Sequence, residues 1–173
     1  HEKLPQIQHP ALDPNRSIIE VMRRQDVMLF TPYHDFSNVI RLLREAAIDP
    51  KVRVIKVTLY RLADESRIIS ALVNAAKNGK KVTVSIELRA RFDEEANINY
   101  AEQMQAAGVN MLFGVTGLKV HSKMCVIERE ENNKLVRYGF ISTGNFNEST
   151  AKFYTDFTLL TANSKLLKDI NKV

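Results

Sequence analysis

The chain has 173 residues, 45% hydrophobic and 26% charged, enough to bury one core and close to the usual size of a single domain, so residues 1–173 read as one domain. Lysines and arginines number 25 against 20 acidic residues, a net charge of +5. The isoelectric point near 9.4 favours anionic partners, but the interspersed acids exclude a basic nucleic-acid tail, and no nucleic acid is expected. The single cysteine, Cys125, excludes an intrachain disulfide and suits a reducing cytoplasm. No apolar run approaches the roughly 20 residues of a membrane span, and nothing at the start has the layout of a signal peptide, so a soluble domain is expected. A chain that begins at His1 and stops at Val173 inside a helical pattern reads as a piece of something longer.

Ile18, Ile19, Val21 and Met22 at helical spacing predict a helix over 14–25, followed by a strand through Val27–Phe30 that ends at Thr31-Pro32. Residues 36–48 repeat the helical pattern, with Asp35 as N-cap and Pro50 beyond the end. Val52–Tyr60, rich in β-branched residues, reads as strand. Asp64 is placed to cap a helix through Ile68 and Ala76 that ends at Gly79. Strand follows over 81–88, helix from Asp93 to Gly108, and strand over 109–113. This alternation predicts an α/β fold with a largely parallel sheet flanked by helices. The pattern then changes to strands over 119–127 and 135–142 joined by a loose polar turn, making the sheet mixed. A last strand over 156–161 precedes a helix from Ser164.

The strand over 119–127 carries Lys119, His121 and Lys123 on one face. Three such groups in series ask for an anion, and an imidazole between lysines is a candidate nucleophile and proton carrier. Arg61 and Arg91 each follow a strand, at the carboxyl edge where ligands of open α/β sheets bind. A guanidinium holds two phosphate oxygens at once, although pairing with Asp64, Asp93 or Glu94 is an equally good account of these two arginines. The turn Ser142-Thr143-Gly144-Asn145-Phe146-Asn147 offers donors to phosphate, or is a plain loop. Tyr154 stands just before the last strand, fit either to stack on a base or to pack in the core, and His34 lies in a strand-to-helix turn at the functional edge. No spacing of histidine, cysteine and carboxylate residues reads as a metal cage.

His121-Ser122-Lys123, Glu128 after four intervening residues, and Gly144-Asn145-Phe146-Asn147 resemble the histidine-lysine-aspartate motif of the phospholipase D superfamily. The departures are glutamate for aspartate and a longer insertion before the glycine-asparagine segment. Strand alternation also points Glu128 away from His121, outside the site. Leu29–Phe36, Thr58–Arg61, Glu87–Glu94, Gly117–Lys123 and Thr143–Asn147, in this order, resemble the first phospholipase D-like catalytic domain of the polyphosphate kinases.

That resemblance implies a phospholipase D-like fold and a reversible transfer of the ATP γ-phosphate to polyphosphate, with His121 as the phosphohistidine. Lys123 supports it, and Lys119 stands at the rim. Tyr154 would lie against adenine, Asn145 and Asn147 would bind phosphate, and Arg61 and Arg91 would belong to the phosphate and magnesium site, holding the metal through phosphate. The partners implied are ATP or ADP, polyphosphate and the remaining domains of the same enzyme. The full enzyme would be a homo-oligomer, cytoplasmic or peripheral on the inner face of the cell membrane. A noncatalytic polyanion- or nucleotide-binding module and a phospholipase D-type phosphodiesterase are the alternatives.

Overall fold

The computed structural model describes residues 5–60, 62–63, 65–87, 94–114 and 121–172. In chain order the elements are α1 (Ile18–Met22), β1 (Val27–Thr31), α2 (Ser37–Ile48), β2 (Val52–Leu59), α3 (Arg67–Lys77), β3 (Lys81–Ile86), α4 (Glu94–Ala106) and β4 (Asn110–Phe113). A hairpin of β5 (Met124–Glu131) and β6 (Lys134–Ser142) follows, then a short 3-10 helix at Thr150–Lys152, β7 (Asp156–Thr161) and α5 (Ser164–Ile170).

The strands form one open sheet in the order β1-β7-β6-β5-β2-β3-β4. Pairing is parallel from β2 to β3 and from β3 to β4, and antiparallel at the other four contacts. Five strands therefore run one way, with β5 and β7 the other. The sheet is mixed as expected, but the antiparallel strands β5 and β7 are interleaved among parallel ones, so adjacent parallel pairs are the minority. The cause is that the hairpin and β7 insert between β1 and β2, which sequence order alone would set side by side.

Apolar residues at helical spacing make α2 and α3 core helices: Val39, Leu42, Leu43 and Ala46 on the first, Ile68, Ile69 and Leu72 on the second are all buried. They cover a pleat face on which Ile55 pairs with Ile127 and Val57 with Cys125. Each fully buried aliphatic side chain contributes about 1.5–3 kcal/mol. The opposite face is met by α5, where fully buried Leu167 lies against Gly139. A Cβ on that glycine would stand 2.3 Å from the carbonyl oxygen of Cys125 and 2.7 Å from a Leu167 methyl, so the absence of a side chain is what admits the helix.

Several boundaries move from their sequence expectations. α1 keeps only Ile18–Met22 of the helix expected over 14–25, because Ser17 is the N-cap and accepts the Glu20 amide through its hydroxyl. The N-cap of α2 is Phe36, not Asp35, although the Asp35 carboxylate still accepts the Ser37 amide at 2.8 Å. Asp64 and Asp93 lie outside the described residues. α3 takes Ser66 as N-cap, and its first amide donates to Glu148 at 2.7 Å. The turn expected to be loose is a two-residue connection, Asn132-Asn133, with φ of 50° and 61°, the left-handed values that a tight hairpin demands and asparagine tolerates.

Candidate functional site

Because β5 and β7 run against the other strands, one edge of the sheet gathers the ends of β1, β2, β3, β4 and β6 and the starts of β5 and β7. That edge holds Tyr60 after β2, Glu87 after β3, the loop 143–147 after β6, His121 and Lys123 before β5, and Tyr154 and Asp156 at the entry to β7. Positions from 60 to 156 in the sequence thus meet at one edge.

β5 begins at Met124 rather than at Lys119, so His121 and Lys123 stand just before the strand. The reason is Thr58, whose hydroxyl donates to the Ser122 carbonyl at 2.7 Å and accepts the Met124 amide at 3.0 Å. A side chain thereby replaces the next backbone rung between β2 and β5. On the other side the Ser142 amide donates to the Lys123 carbonyl at 2.8 Å, and the segment is held from both neighbours.

His121 is exposed, whereas Lys123 is 7% exposed. The two still converge: the Lys123 ammonium donates to the His121 carbonyl and lies 5.7 Å from the centroid of the Tyr60 ring. That ring meets the His121 imidazole edge-on, with centroids 5.8 Å apart and planes at 74°. Burial pulls the Lys123 pKa below the ordinary lysine value, and the Asp156 carboxylate offsets part of that pull. The result is a desolvated cation beside an accessible imidazole, an arrangement that an incoming phosphate would relieve.

The loop 143–147 is fastened to β7. Thr143 Oγ1 donates to Asp156 at 2.8 Å and accepts the Phe157 amide at 3.0 Å, and Phe146 is buried edge-on against Phe140 at 5.0 Å. The two asparagines differ. Asn147 Oδ1 accepts the amides of Ser149 and Thr150, both at 3.0 Å, so its carboxamide oxygen serves the 3-10 helix leading to Tyr154. Asn145 Oδ1 is buried with no hydrogen-bond partner among the described residues. Tyr154 is 64% exposed, a ring open to a ligand rather than a core residue.

Arg61, Arg91 and Lys119 lie outside the described residues. His34 is engaged elsewhere, its Nδ1 accepting the Phe30 amide at 3.0 Å and its ring edge-on to His9 at 4.9 Å. Glu128 is engaged with β6, accepting Arg137 Nε at 2.9 Å. Tyr60 and Asp156 were not among the residues that sequence pattern picked out for the site. Tyr60 was signalled by its place in the Thr58–Arg61 segment, and Asp156 by proximity to Tyr154 in the chain.

The open mixed sheet, with His-x-Lys at the entry to a central antiparallel strand, has a phospholipase D-like fold. The phospholipase D family member Nuc from Salmonella typhimurium has this fold, with a TM-score of 0.63 at 18% identity over 86% of this chain and 90% of that one. The family model for polyphosphate kinase C-terminal domain 1 matches residues 17–173, and the chain belongs to that family. The polyphosphate kinase of Yersinia pestis is 50% identical over 98% of this chain and 25% of its own length. That of Escherichia coli K12 is 48% identical over 100% of this chain and 25% of its own. The crystal structure of the Porphyromonas gingivalis polyphosphate kinase superposes with a TM-score of 0.86 at 42% identity, over 98% of this chain and 28% of that one. The chain thus spans about a quarter of the length of these relatives.

Proposed function

We propose that this domain carries the phosphate-accepting half of a polyphosphate kinase site. The observation behind the reading is the pair formed by accessible His121 and buried Lys123 at the edge where the family's motifs converge. An imidazole nitrogen of His121 attacks the γ-phosphorus of ATP, a nitrogen–phosphorus bond forms and the bond to the β-phosphate bridging oxygen breaks, releasing ADP. The terminal phosphate oxygen of a polyphosphate chain then attacks the phosphohistidine and frees the imidazole, and the reverse sequence regenerates ATP.

Lys123 is already desolvated, so it stabilises the charge on the equatorial oxygens without having to shed water at the moment of transfer. Arg61 and Arg91 grip the phosphates, Asn145 adds its amide donors, and Tyr154 offers an exposed ring to the adenine. Asn147 contributes by holding the loop, given the amides its oxygen accepts. Magnesium would be carried at this site on phosphate oxygens and water. Bound there, beside Arg61 and Arg91, it would neutralise part of the triphosphate charge.

The test is labelling of the full-length enzyme with γ-labelled ATP. Acid-labile, alkali-stable label that disappears in His121→Ala supports the reading. Nucleotide binding without label would favour a noncatalytic module, and label acquired from a phosphodiester would favour the activity expected of the phospholipase D class. The remaining domains complete the site, so residues 1–173 alone make no polyphosphate from ATP and magnesium. Robust synthesis by the fragment would overturn that part.

A further inference from the structure

We infer that Asn97 is a positioning residue for His121, acting through Tyr60; the inference rests on the phosphohistidine reading above. Asn97 lies on the first turns of α4 and is completely buried. A wholly buried carboxamide in a helix is costly unless its groups are bonded. Its Nδ2 donates to two backbone carbonyls at once, that of Tyr60 at 3.1 Å and that of Glu87 at 3.2 Å, while its Oδ1 is buried with no hydrogen-bond partner among the described residues, a cost that the two donated bonds offset. These are the first residues beyond the paired ends of β2 and β3, where Leu59 pairs with Ile86 and the Glu87 amide still donates to the Leu59 carbonyl at 3.2 Å. The carboxamide bridges the two chains at that point.

One turn further along α4, Tyr100 performs a similar task. Its hydroxyl donates to the Ala63 carbonyl at 3.0 Å and accepts the Ser66 amide at 3.2 Å. Residues at i and i+3 share a helix face, so one face of α4 is devoted to the backbone leaving β2. That accounts for polar residues where a covering helix would ordinarily present aliphatic ones. Tyr60 is the point at which this clamp reaches the chemistry. Its carbonyl is held by Asn97 from inside, while its ring stands edge-on to the His121 imidazole at 5.8 Å and 5.7 Å from the Lys123 ammonium. His121 is exposed and precedes its strand, and an aromatic wall on a fixed backbone limits the orientations of the nucleophile.

The variants that test this in the full-length enzyme are Asn97→Asp and Tyr60→Leu. The aspartate is nearly isosteric but donates a hydrogen bond only when protonated. Label transfer to His121 therefore falls about tenfold or more at pH near 8, as expected for a misplaced nucleophile, and recovers relative to wild type as the pH is lowered. Tyr60→Leu leaves the buried clamp intact and produces a similar fall in kcat without the pH-dependent recovery, with KM for ATP changed by less than about twofold. If Asn97→Asp fails to fold, Tyr60→Leu decides. Folded variants that take label within about twofold of the wild-type rate overturn the inference while leaving the phosphohistidine reading intact.

The same proteins are also read by carbethoxylation of His121, mapped by mass spectrometry, which requires no phosphate transfer. Loss of the aromatic contact is expected to speed modification by about threefold or more. Should wild type take no label from ATP, the phosphohistidine reading fails, and carbethoxylation alone then judges the positioning: faster modification in the variants upholds it, and unchanged rates refute it.

Discussion

A side-chain carbon on Gly144 would stand 2.2 Å from Oδ2 of Asp156 and 2.8 Å from its Cβ. The loop after β6 and the first residue of β7 interlock there, and the carboxylate cannot turn aside without losing its 2.8 Å bond from Thr143. Gly144→Ala is therefore expected to cost about 1–3 kcal/mol, the usual range for overpacking. Urea denaturation of the purified domain measures it. An alanine variant as stable as wild type would mean that Asp156 moves freely, and would remove the reason for regarding the two segments as one unit.

Lys123 offers a contrast between stability and function. Burial lowers its pKa below the ordinary 10.5, so near neutral pH the fold carries a charge that its surroundings disfavour. The associated stability is present above the unfolded value and is lost as pH falls through the folded one. Lys123→Met keeps the stem and deletes the charge. The expected outcome is a melting temperature equal to or above that of wild type, with label transfer reduced by about a hundredfold or more, as when one preorganised electrostatic group is removed. A variant that melts lower and retains label transfer would contradict both parts.

How much of this was legible follows from where the information lies. The helices α2 and α3 and the strand β2 announce themselves, since apolar spacing and β-branched runs are local signals. His121 and Lys123 were legible for the same reason, two residues apart in one recognisable segment. Tyr60 and Asp156 were not, because each acquires its meaning from sheet order, which sets β5 beside β2 and β7 beside β6. Asn97 carries no local signal at all. Its partners are 37 and 10 residues away in the chain, and only the closed fold reveals that its amide has work to do.

The β5–β6 connection is a direct test of backbone conformation. Asn132 and Asn133 both hold positive φ, and β-branched residues resist that region. Asn133→Gly is expected to leave stability unchanged or raise it by up to about 1 kcal/mol, since glycine is the favoured second residue of such turns. Asn133→Val should cost roughly 1–2 kcal/mol. Denaturant midpoints of the two variants in parallel check the ordering, and equal midpoints would refute it.

At the edge of the sheet away from His121, Arg129 joins two carboxylates: Nε donates to Asp49 at 2.7 Å and a terminal nitrogen to Glu131 at 2.8 Å, with side chains only 13% and 14% exposed. Tyr138 adds its hydroxyl to Glu131 at 2.7 Å. Burial alone would raise both carboxyl pKa values. Hydrogen bonds from Arg129 and the Lys51 amide to Asp49, and from Tyr138 and Arg129 to Glu131, overcome it and leave both below their ordinary values of 3.8 and 4.5. The stability they contribute is present above those values and lost as pH falls through the folded ones. Arg129→Leu takes from two largely buried carboxylates the cation they share, leaving Asp49 the Lys51 amide and Glu131 the Tyr138 hydroxyl and Arg23, and is expected to cost about 3 kcal/mol near neutral pH. Because burial then acts unopposed by the guanidinium, acidification should narrow the gap between variant and wild type. Urea midpoints at pH 7 and at about pH 3 measure both effects, and a gap that widens in acid would show that the carboxylates owe their low pKa values to something other than Arg129.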